Sequence, residues 1–321
     1  MSEKVAIVYW CDGAGHAARA IPVAKEIESR GEKVSIAGGG PGGRFVDLNG
    51  FEQPELTTVT VKGDSVPGFL AHGLSNVVPN CIRRFGDIWS WLNEEDPDTV
   101  VTDDLLGLVA AILQRREIYR IDHVQPEMFD LEWRLPSEIY NRLSLIFAEE
   151  IVVTSLWSQE EDAEGYTKVN PLAQEGESDP EVDPYDVLLS PGTHGENFDQ
   201  IRQRLEDRGL SVRMVGDDDW DTKPSMTPYT EKAEVTVCTG FSSIADSVVA
   251  GTPCIVYPFL PFQEALAEEA QEKDLKGIET ASDVQEVVEH VEYFIENQED
   301  PEYENGAKEF VDAVTGEEDG S

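Results

Sequence analysis

The chain has 321 residues, which is enough for two domains with cores of their own, so folding requires neither disulfides nor a metal. It carries 65 Asp and Glu against 24 Lys and Arg, a formal charge of −41. This charge argues against a nucleic-acid-binding protein, because phosphate neutralisation requires clustered basic residues. The apolar residues, 40% of the total, fall in periodic runs, which favours a folded chain over a disordered one.

The acidic residues are spread along the whole chain, with a net charge of −11 over residues 1–160 and −30 over 161–321. This pattern favours a cytoplasmic protein of a salt-accumulating organism, because molar salt screens charges beyond about 3 Å. An ordinary acidic protein is the alternative. Hydropathy and the N-terminus predict no membrane span and no signal peptide. The widely separated cysteines indicate free thiols in a reducing compartment: Cys11, Cys81, Cys238 and Cys254.

The first half of the chain alternates short apolar strands with helices, which predicts a parallel sheet in an α/β domain. The predicted strands are 5–10, 33–37, 57–61, 99–102, 118–122 and 151–154. The predicted helices are 17–30, 76–92, 107–115 and 136–147. Residues 158–184 are rich in Glu, Asp, Gly and Pro and are interpreted as the connection between two domains.

A second α/β cycle follows this connection. Its predicted strands are 186–190, 211–215, 234–238 and 253–257, and its predicted helices are 198–208, 242–250 and 282–297. The predicted domains are therefore 1–156 and 157–321, two facing Rossmann-like halves with parallel sheets. In such sheets ligands bind at the carboxyl ends of the strands, so we expect the site in a cleft between the halves.

The turn after the first strand, Gly13-Ala14-Gly15-His16-Ala17-Ala18, matches the dinucleotide fingerprint G-x-G-x-x-A. The match is incomplete, because strand two ends in glycines and the next carboxylate is Asp47, whereas a dinucleotide site needs an acid about 20 residues on. An imidazole on this turn is suited to general base catalysis. Helix capping by His16 is the alternative interpretation.

A second motif begins where a strand ends in glycine and a helix starts with two serines, Cys238-Thr239-Gly240-Phe241-Ser242-Ser243-Ile244-Ala245-Asp246. Free backbone N–H groups at such a helix start suit a phosphate. Asp246, one turn into the helix, could reach a ribose hydroxyl. Taken alone, the same residues could form an ordinary capping box.

The order and spacing of these motifs resemble nucleotide-sugar glycosyltransferases of the two-Rossmann (GT-B) architecture. The UDP-glycosyltransferase family carries His-Cys-Gly-Trp-Asn-Ser-x-x-Glu followed by Gly-x-Pro and Asp/Glu-Gln. The bacterial family 28 enzyme that adds N-acetylglucosamine to the lipid-linked peptidoglycan precursor carries Gly-Gly-His after strand one. The matching residues are Gly240, Ser243, Gly251, Pro253, Pro258 and Gln263, with Asp246 in place of Glu and Phe241 in place of Trp.

The resemblance implies a donor site in the second half and a catalytic pair in the first. The implied donor-binding residues are Gly13, Gly15, Gly192, Thr193, His194, Cys238, Gly240, Phe241, Ser242, Ser243, Asp246 and Gln263. His16 is the implied base, oriented by Asp103, for which helix capping is the alternative. The family needs no metal and no cofactor beyond the nucleotide-sugar co-substrate, because the helix start stabilises the leaving diphosphate.

Two positions depart from the family pattern. Cys238 stands where the family has a phosphate-contacting His, and Phe262 stands where it has an acid before the final Gln. These departures suggest an altered donor, a weakened enzyme or a non-catalytic relative. The D-x-D sequences within 217–221 are interpreted as chance in so acidic a chain rather than as a metal site.

The segment 65–86 contains 22 residues without Asp or Glu. In the resembled fold this part of the first half lines the acceptor side. We expect Phe69, Leu70, Arg83 and Arg84 to face an apolar or lipid-linked acceptor, at an anionic membrane surface. A helix that simply packs on the sheet is the alternative.

The sequence thus predicts an inverting, metal-independent glycosyltransferase that moves a sugar from a nucleotide sugar, a UDP-sugar in first place, to an acceptor hydroxyl. A nucleotide-sugar epimerase of the same architecture and a non-catalytic nucleotide-sugar-binding subunit are the alternatives. A nicotinamide oxidoreductase ranks third because the acid for the ribose is missing.

Overall fold

A computed structural model describes residues 4–60, 66–123, 131–158, 165–176, 182–192, 195, 197–218 and 220–316, with the backbone alone at 66–76, 131–137 and 261–262. The chain divides into two compact units. The first comprises Met1–Asn170 together with Gly306–Ser321, and the second comprises Pro171–Asn305.

The first unit is built on a parallel sheet of six strands in the order β2-β1-β3-β4-β5-β6. Its strands are β1 Lys4–Val8, β2 Lys33–Ala37, β3 Thr99–Thr102, β4 Glu117–Asp122, β5 Glu150–Thr154 and β6 Tyr166–Val169. Its helices in this stretch are α1 Gly15–Ser29, α2 Gly43–Leu48, α3 Val66–Glu95, α4 Leu105–Gln114 and α5 Leu131–Phe147. The central strands β1 and β3 are buried on both faces, which is why their sequences are apolar without alternation.

The second unit is built on a parallel sheet of five strands in the order β11-β10-β9-β7-β8. Its strands are β7 Tyr185–Ser190, β8 Val212–Met214, β9 Ala233–Cys238, β10 Cys254–Val256 and β11 Ile278–Thr280. Its helices are α6 Phe198–Glu206, α7 Thr227–Thr230, α8 Phe241–Val249, α9 Pro261–Glu272 and α10 Val284–Asn297. A core of β7, β9 and β10 side chains against α6 and α10 stabilises the unit.

The boundary between the units differs from the predicted 156/157. Strand β6 extends the first sheet in register with β5, with Val152 opposite Thr167, so the first unit continues to residue 170. The last helix, α11 Ala307–Thr315, returns to the first unit, where Arg30 and Asp312 form an ion pair at 2.6 Å. The sequence-based division missed this return because helix periodicity carries no information about which sheet a helix covers.

The predicted strand at 57–61 is wrong over the described residues 57–60, which are irregular. Hydrogen bonds to side chains, rather than backbone hydrogen bonds to a neighbouring strand, hold this segment in place. Asp87 accepts bonds from the backbone and the hydroxyl of Thr57, and the Cys11 thiol bonds to the backbone of Val59 in both directions. Within the described ranges, the helices are too short or too polar to cross a membrane.

Candidate active site

The loop after β1 brings His16 to the carboxyl edge of the first sheet. Gly13 adopts a φ of +108°, which only glycine adopts without strain, and α1 begins two residues later. Nδ1 of His16 lies 2.6 Å from Oδ2 of Asp103. The N-cap residue of α1 is Ala14, so His16 is not the cap, and its ring bonds to Asp103 instead.

Asp103 follows β3 directly and is not a helix cap. The cap of α4 is its neighbour Asp104, whose carboxylate accepts bonds from the N–H groups of Leu106 and Gly107. Because Asp104 caps the helix, the carboxylate of Asp103 is available to bond with His16. The alternative interpretation of Asp103 as a cap is therefore wrong.

The Asp103 carboxylate is held by three donors. His16 and Arg19 approach Oδ2, with Nη2 of Arg19 at 3.0 Å, and the backbone N–H of Trp10 donates to Oδ1 at 2.7 Å. Burial alone would raise the pKa of Asp103, but the His16 ring, the Arg19 guanidinium and the Trp10 N–H together hold it well below its usual range. Asp103 is thus a fixed anion at neutral pH.

This geometry prepares the imidazole to accept a proton. Because an ionised carboxylate only accepts hydrogen bonds, we infer that Nδ1 of His16 donates to Asp103, which leaves the lone pair of the neutral ring on Nε2. The side chain of His16 is 25% exposed, whereas those of Asp103 and Arg19 are 8% and 4% exposed. The reactive nitrogen therefore belongs to the accessible member of the cluster, and its orienting partners are shielded from water.

The sequence analysis did not identify two residues that lie beside His16 and Asp103, namely Arg19 and His123. Arg19 lies three residues after His16, on the same face of α1, and its spacing was the available signal. His123 follows β4, the strand next to β3. Burial lowers the pKa of His123 well below its ordinary value, and the charges of Arg19 and His16 lower it further. A neutral imidazole thus lies beside His16 and Asp103.

The four residues expected on the acceptor side do not share one environment. Arg84 is fully buried and forms an ion pair with Asp104 at 2.8 Å, so the expectation that it faces an acceptor or a membrane is wrong. Arg83 is exposed on α3, next to Ile82, which is 67% exposed. Phe69 and Leu70 lie in α3, but their side chains fall outside the described set.

In the second unit, the ends of β7 and β9 converge on the start of α8. Oγ of Ser190 and Oγ of Ser243 lie 2.9 Å apart. The Thr239 hydroxyl donates to the Pro191 carbonyl at 3.4 Å, beside Gly192, whose φ is +61°. Thr193 and His194 lie outside the described residues.

Gly240 is the N-cap residue of α8 and has no side chain with which to cap the helix. Phe241 is buried, and Ser242 and Ser243 are half-buried. Oε1 of Gln263 accepts bonds from the N–H groups of Phe259 and Leu260. A Cβ built on Gly240 would lie 3.5 Å from Nε2 of the same glutamine. The capping-box alternative is wrong because the N-cap residue is Gly240, and the positive end of the α8 dipole suits an anion.

Asp246 lies on α8 behind this helix start. Burial raises the pKa of its carboxyl to about 7, although the Gln174 N–H bond lowers it. Gln174 anchors the segment before β7, because its carbonyl accepts bonds from Ser225 and Thr227. The carboxyl group is thus fixed next to the positions that the sequence assigns to donor binding.

Cys238 does not contact solvent, so its assignment as a side chain that contacts the donor is wrong. The thiol is fully buried, and its hydrogen bond with Cys254 and its burial raise its pKa well above the ordinary value.

Asp217, in the D-x-D region, forms an ion pair with Arg202. Among the described residues no group of three or more His, Cys, Asp and Glu could hold a metal.

No protein-family model and no curated protein matches the sequence. Solved structures do match it. The spinosyn forosaminyltransferase SpnP is 13% identical with a TM-score of 0.67, over 93% of this chain and 92% of its own. The glycosyltransferase SsfS6 of Streptomyces sp. SF2575, complexed with thymidine diphosphate, is 12% identical with a TM-score of 0.68, over 98% and 99%.

A Listeria monocytogenes protein described as a candidate UDP-N-acetylglucosamine 2-epimerase is 11% identical with a TM-score of 0.65, over 98% of this chain and 96% of its own. At these identities the likeness shows the fold. The chain has the fold of GT-B glycosyltransferases, which confirms the fold class expected from the sequence.

Proposed function

We propose that this chain with a GT-B fold is an inverting, metal-independent glycosyltransferase that moves a sugar from a nucleotide sugar to an acceptor hydroxyl. The observation that carries the proposal is the 2.6 Å contact between His16 Nδ1 and Asp103 Oδ2. A half-buried imidazole oriented by a buried, ionised carboxylate is the arrangement that general base catalysis requires.

In the proposed reaction, Nε2 of His16 takes the proton of the acceptor hydroxyl as its oxygen attacks the anomeric carbon. The bond from that carbon to the diphosphate breaks on the opposite face, which inverts the configuration. Asp103 stabilises the imidazolium that forms, because its negative charge lies at hydrogen-bond distance. The proton leaves His16 to solvent after the nucleoside diphosphate is released.

The second unit is the proposed donor site. The N-terminal end of α8, which begins after Gly240, binds the diphosphate, and its helix dipole stabilises the charge as the sugar departs. Ser190, Ser243 and Gln263 surround this helix start, and Asp246 is the proposed partner of the ribose. We propose a UDP-sugar as donor, and the SsfS6 complex with thymidine diphosphate makes a dTDP-sugar the second donor to assay.

We further propose an apolar or lipid-linked acceptor, with peripheral contact to an anionic membrane. Ile82 and Arg83 are exposed on α3, and Ile146 and Phe147 are 70% and 46% exposed at the end of α5. Exposed apolar side chains next to an arginine suit a lipid surface. Arg84 does not support this proposal, because it is fully buried.

The test is turnover by His16→Ala, with His290→Ala as the matched control. We expect transfer to fall by about 10²–10⁴-fold in His16→Ala, the usual contribution of a general base, while calorimetry shows unchanged donor binding. The control, on a half-buried position of α10, keeps full activity. Intact turnover in His16→Ala contradicts the proposal.

The alternatives have their own outcomes in the same assay. Conversion of the donor sugar in the absence of any acceptor would indicate an epimerase. Donor binding without release of nucleoside diphosphate under any acceptor condition would indicate a non-catalytic subunit. Each result excludes the transferase.

A further inference from the structure

Arg84 is a completely buried cation whose three nitrogens all donate hydrogen bonds. Nε donates to Asp104 Oδ2 at 2.8 Å, and Nη2 donates to the Tyr9 carbonyl at 2.9 Å. Nη1 donates to the carbonyls of Gly38 at 2.8 Å and Thr57 at 3.2 Å. This satisfaction explains how a guanidinium is tolerated at 0% exposure, where an unpaired charge would be prohibitively costly.

The partners of Arg84 lie at the carboxyl ends of three neighbouring strands. Tyr9 follows β1, Gly38 follows β2 and Asp104 lies two residues beyond β3, while Thr57 belongs to the irregular segment that passes this edge. A rigid, planar guanidinium fixes the relative positions of these groups, because its donors point in set directions. This edge of the sheet carries His16 and Asp103.

Arg84 is connected to Asp103 by two routes, one through Trp10 and one through Asp104. The guanidinium lies 5.6 Å from the ring centroid of Trp10, and the backbone N–H of Trp10 donates to Asp103 Oδ1 at 2.7 Å. On the other side, Asp104 is the next residue in the chain and is pinned by Arg84 and by the Leu106 N–H at 2.8 Å. Asp103 is therefore constrained through both its carboxylate and its backbone.

We propose that the buried Arg84–Asp104 ion pair is a positioning device that holds Asp103 in the geometry that orients His16. A buried ion pair adds little net stability compared with apolar side chains of similar size, but it selects one arrangement of its partners. A displacement of about 1 Å at a catalytic group costs up to 10²-fold in rate. The kinetic part of this inference rests on the proposed function.

The test removes both charges together, in Arg84→Met with Asp104→Asn. Removing one charge alone would leave the other buried without a partner, whereas the double variant leaves neither. The asparagine still accepts the Leu106 N–H and caps α4. The matched control is Arg116→Met with Asp96→Asn, a pair at 2.7 Å in the same unit whose aspartate is 78% exposed.

We expect the double variant to lose about 10–100-fold in kcat with donor KM within about twofold of wild type, because the proposed diphosphate-binding helix α8 lies in the other unit. The ¹⁵N shifts of the His16 ring should report an Nδ1–H tautomer in wild type and a mixture in the double variant. The chain has 5 histidines, so a His16→Gln sample assigns the signal. The control should match wild type in every readout.

A folded double variant with wild-type kcat and a wild-type His16 tautomer would overturn the positioning role. An equal loss in donor affinity and kcat would do the same, because it would indicate general structural damage. If the double variant does not fold, Arg84→Lys tests the positioning role by the same readouts. Lysine keeps a cation beside Asp104 but lacks the planar set of donors of the guanidinium. If wild type shows no transfer, the proposed function fails, and the tautomer measurement still decides this inference.

Discussion

The N–H of Trp10 and the carboxylate of Asp103 join the ends of two adjacent strands, with 2.7 Å between N and Oδ1. Because this bond occupies one oxygen, the other is left to His16 and Arg19. The Asp103 side chain therefore has one orientation, in which its second oxygen faces the imidazole.

Asp103→Asn tests this orientation. The amide oxygen can keep the Trp10 bond, but the NH2 group then faces the guanidinium and the ring, and it favours the wrong tautomer of His16. We expect kcat to fall by about 10²-fold or more, with donor affinity unchanged by calorimetry. Asp122→Asn, at the end of β4, is the comparison variant. Activity retained within twofold in Asp103→Asn would exclude the orienting role.

Ser243→Ala tests the donor site. The substitution removes the 2.9 Å bond to Ser190 and one hydroxyl next to the proposed diphosphate. We expect donor KM to rise about 5–15-fold, the equivalent of a hydrogen bond of 1–1.5 kcal/mol, with little change in kcat. Ser282→Ala, which removes a surface bond to Glu286, should leave KM unchanged. An unaltered KM in Ser243→Ala would place the donor elsewhere.

Asp246→Asn tests the effect of the buried carboxyl on stability. The pKa of Asp246 is raised to about 7 in the folded state and is about 3.9 in an unfolded chain. As the pH rises, the Asp246 carboxyl in the folded state therefore loses its proton later than it does in the unfolded chain. The free energy of unfolding of the wild type consequently falls between about pH 4 and pH 7. We expect the variant to be more stable than wild type at pH 8.

The size of this gain is about 1–2 kcal/mol, because Asp246 keeps partial exposure and solvent screens part of the penalty. Asparagine retains an oxygen for the Gln174 N–H. Denaturant unfolding at pH 4 and pH 8 measures the difference, which should disappear at the lower pH. A gain of equal size at both pH values would show that the carboxyl charge is not its source.

Arg83→Glu tests the membrane contact. Reversing this exposed charge should abolish binding to vesicles that contain anionic lipid, since each basic residue near such a surface contributes about 1 kcal/mol and repulsion replaces it. Arg44→Glu, an exposed arginine on α2, should bind as wild type does. Sedimentation with vesicles gives the bound fraction. Equal binding by Arg83→Glu and wild type would remove the membrane from the proposal.

Salt should stabilise the whole chain. At a formal charge of −41, self-repulsion extends over about 30 Å at 0.01 M salt and about 3 Å at 1 M. We therefore expect Tm to rise steeply with KCl from 0.1 to 2 M, as followed by circular dichroism. A Tm that is flat over this range would indicate that the acidic surface is not an adaptation to salt.

Local patterns predicted most of the sheet strands and the helices between them. They failed at 57–60, where a β-branched stretch, Thr-Thr-Val-Thr, is held by Asp87 and Cys11 instead of a neighbouring strand. They also did not detect β6, whose four residues, Tyr166–Val169, lie in a segment with a loop-like composition. A short edge strand depends on a partner that the local sequence does not reveal.

The sequence by itself determined the α/β class, the glycine turn that carries His16 and the glycine-serine start of α8, because each depends on residues adjacent in the chain. Only the tertiary structure decided which of two neighbouring aspartates orients the imidazole. It also buried Arg84 beneath the site and returned α11 to the first unit. Burial and charge pairing join residues far apart in sequence, and their energies depend on distances that no local pattern contains.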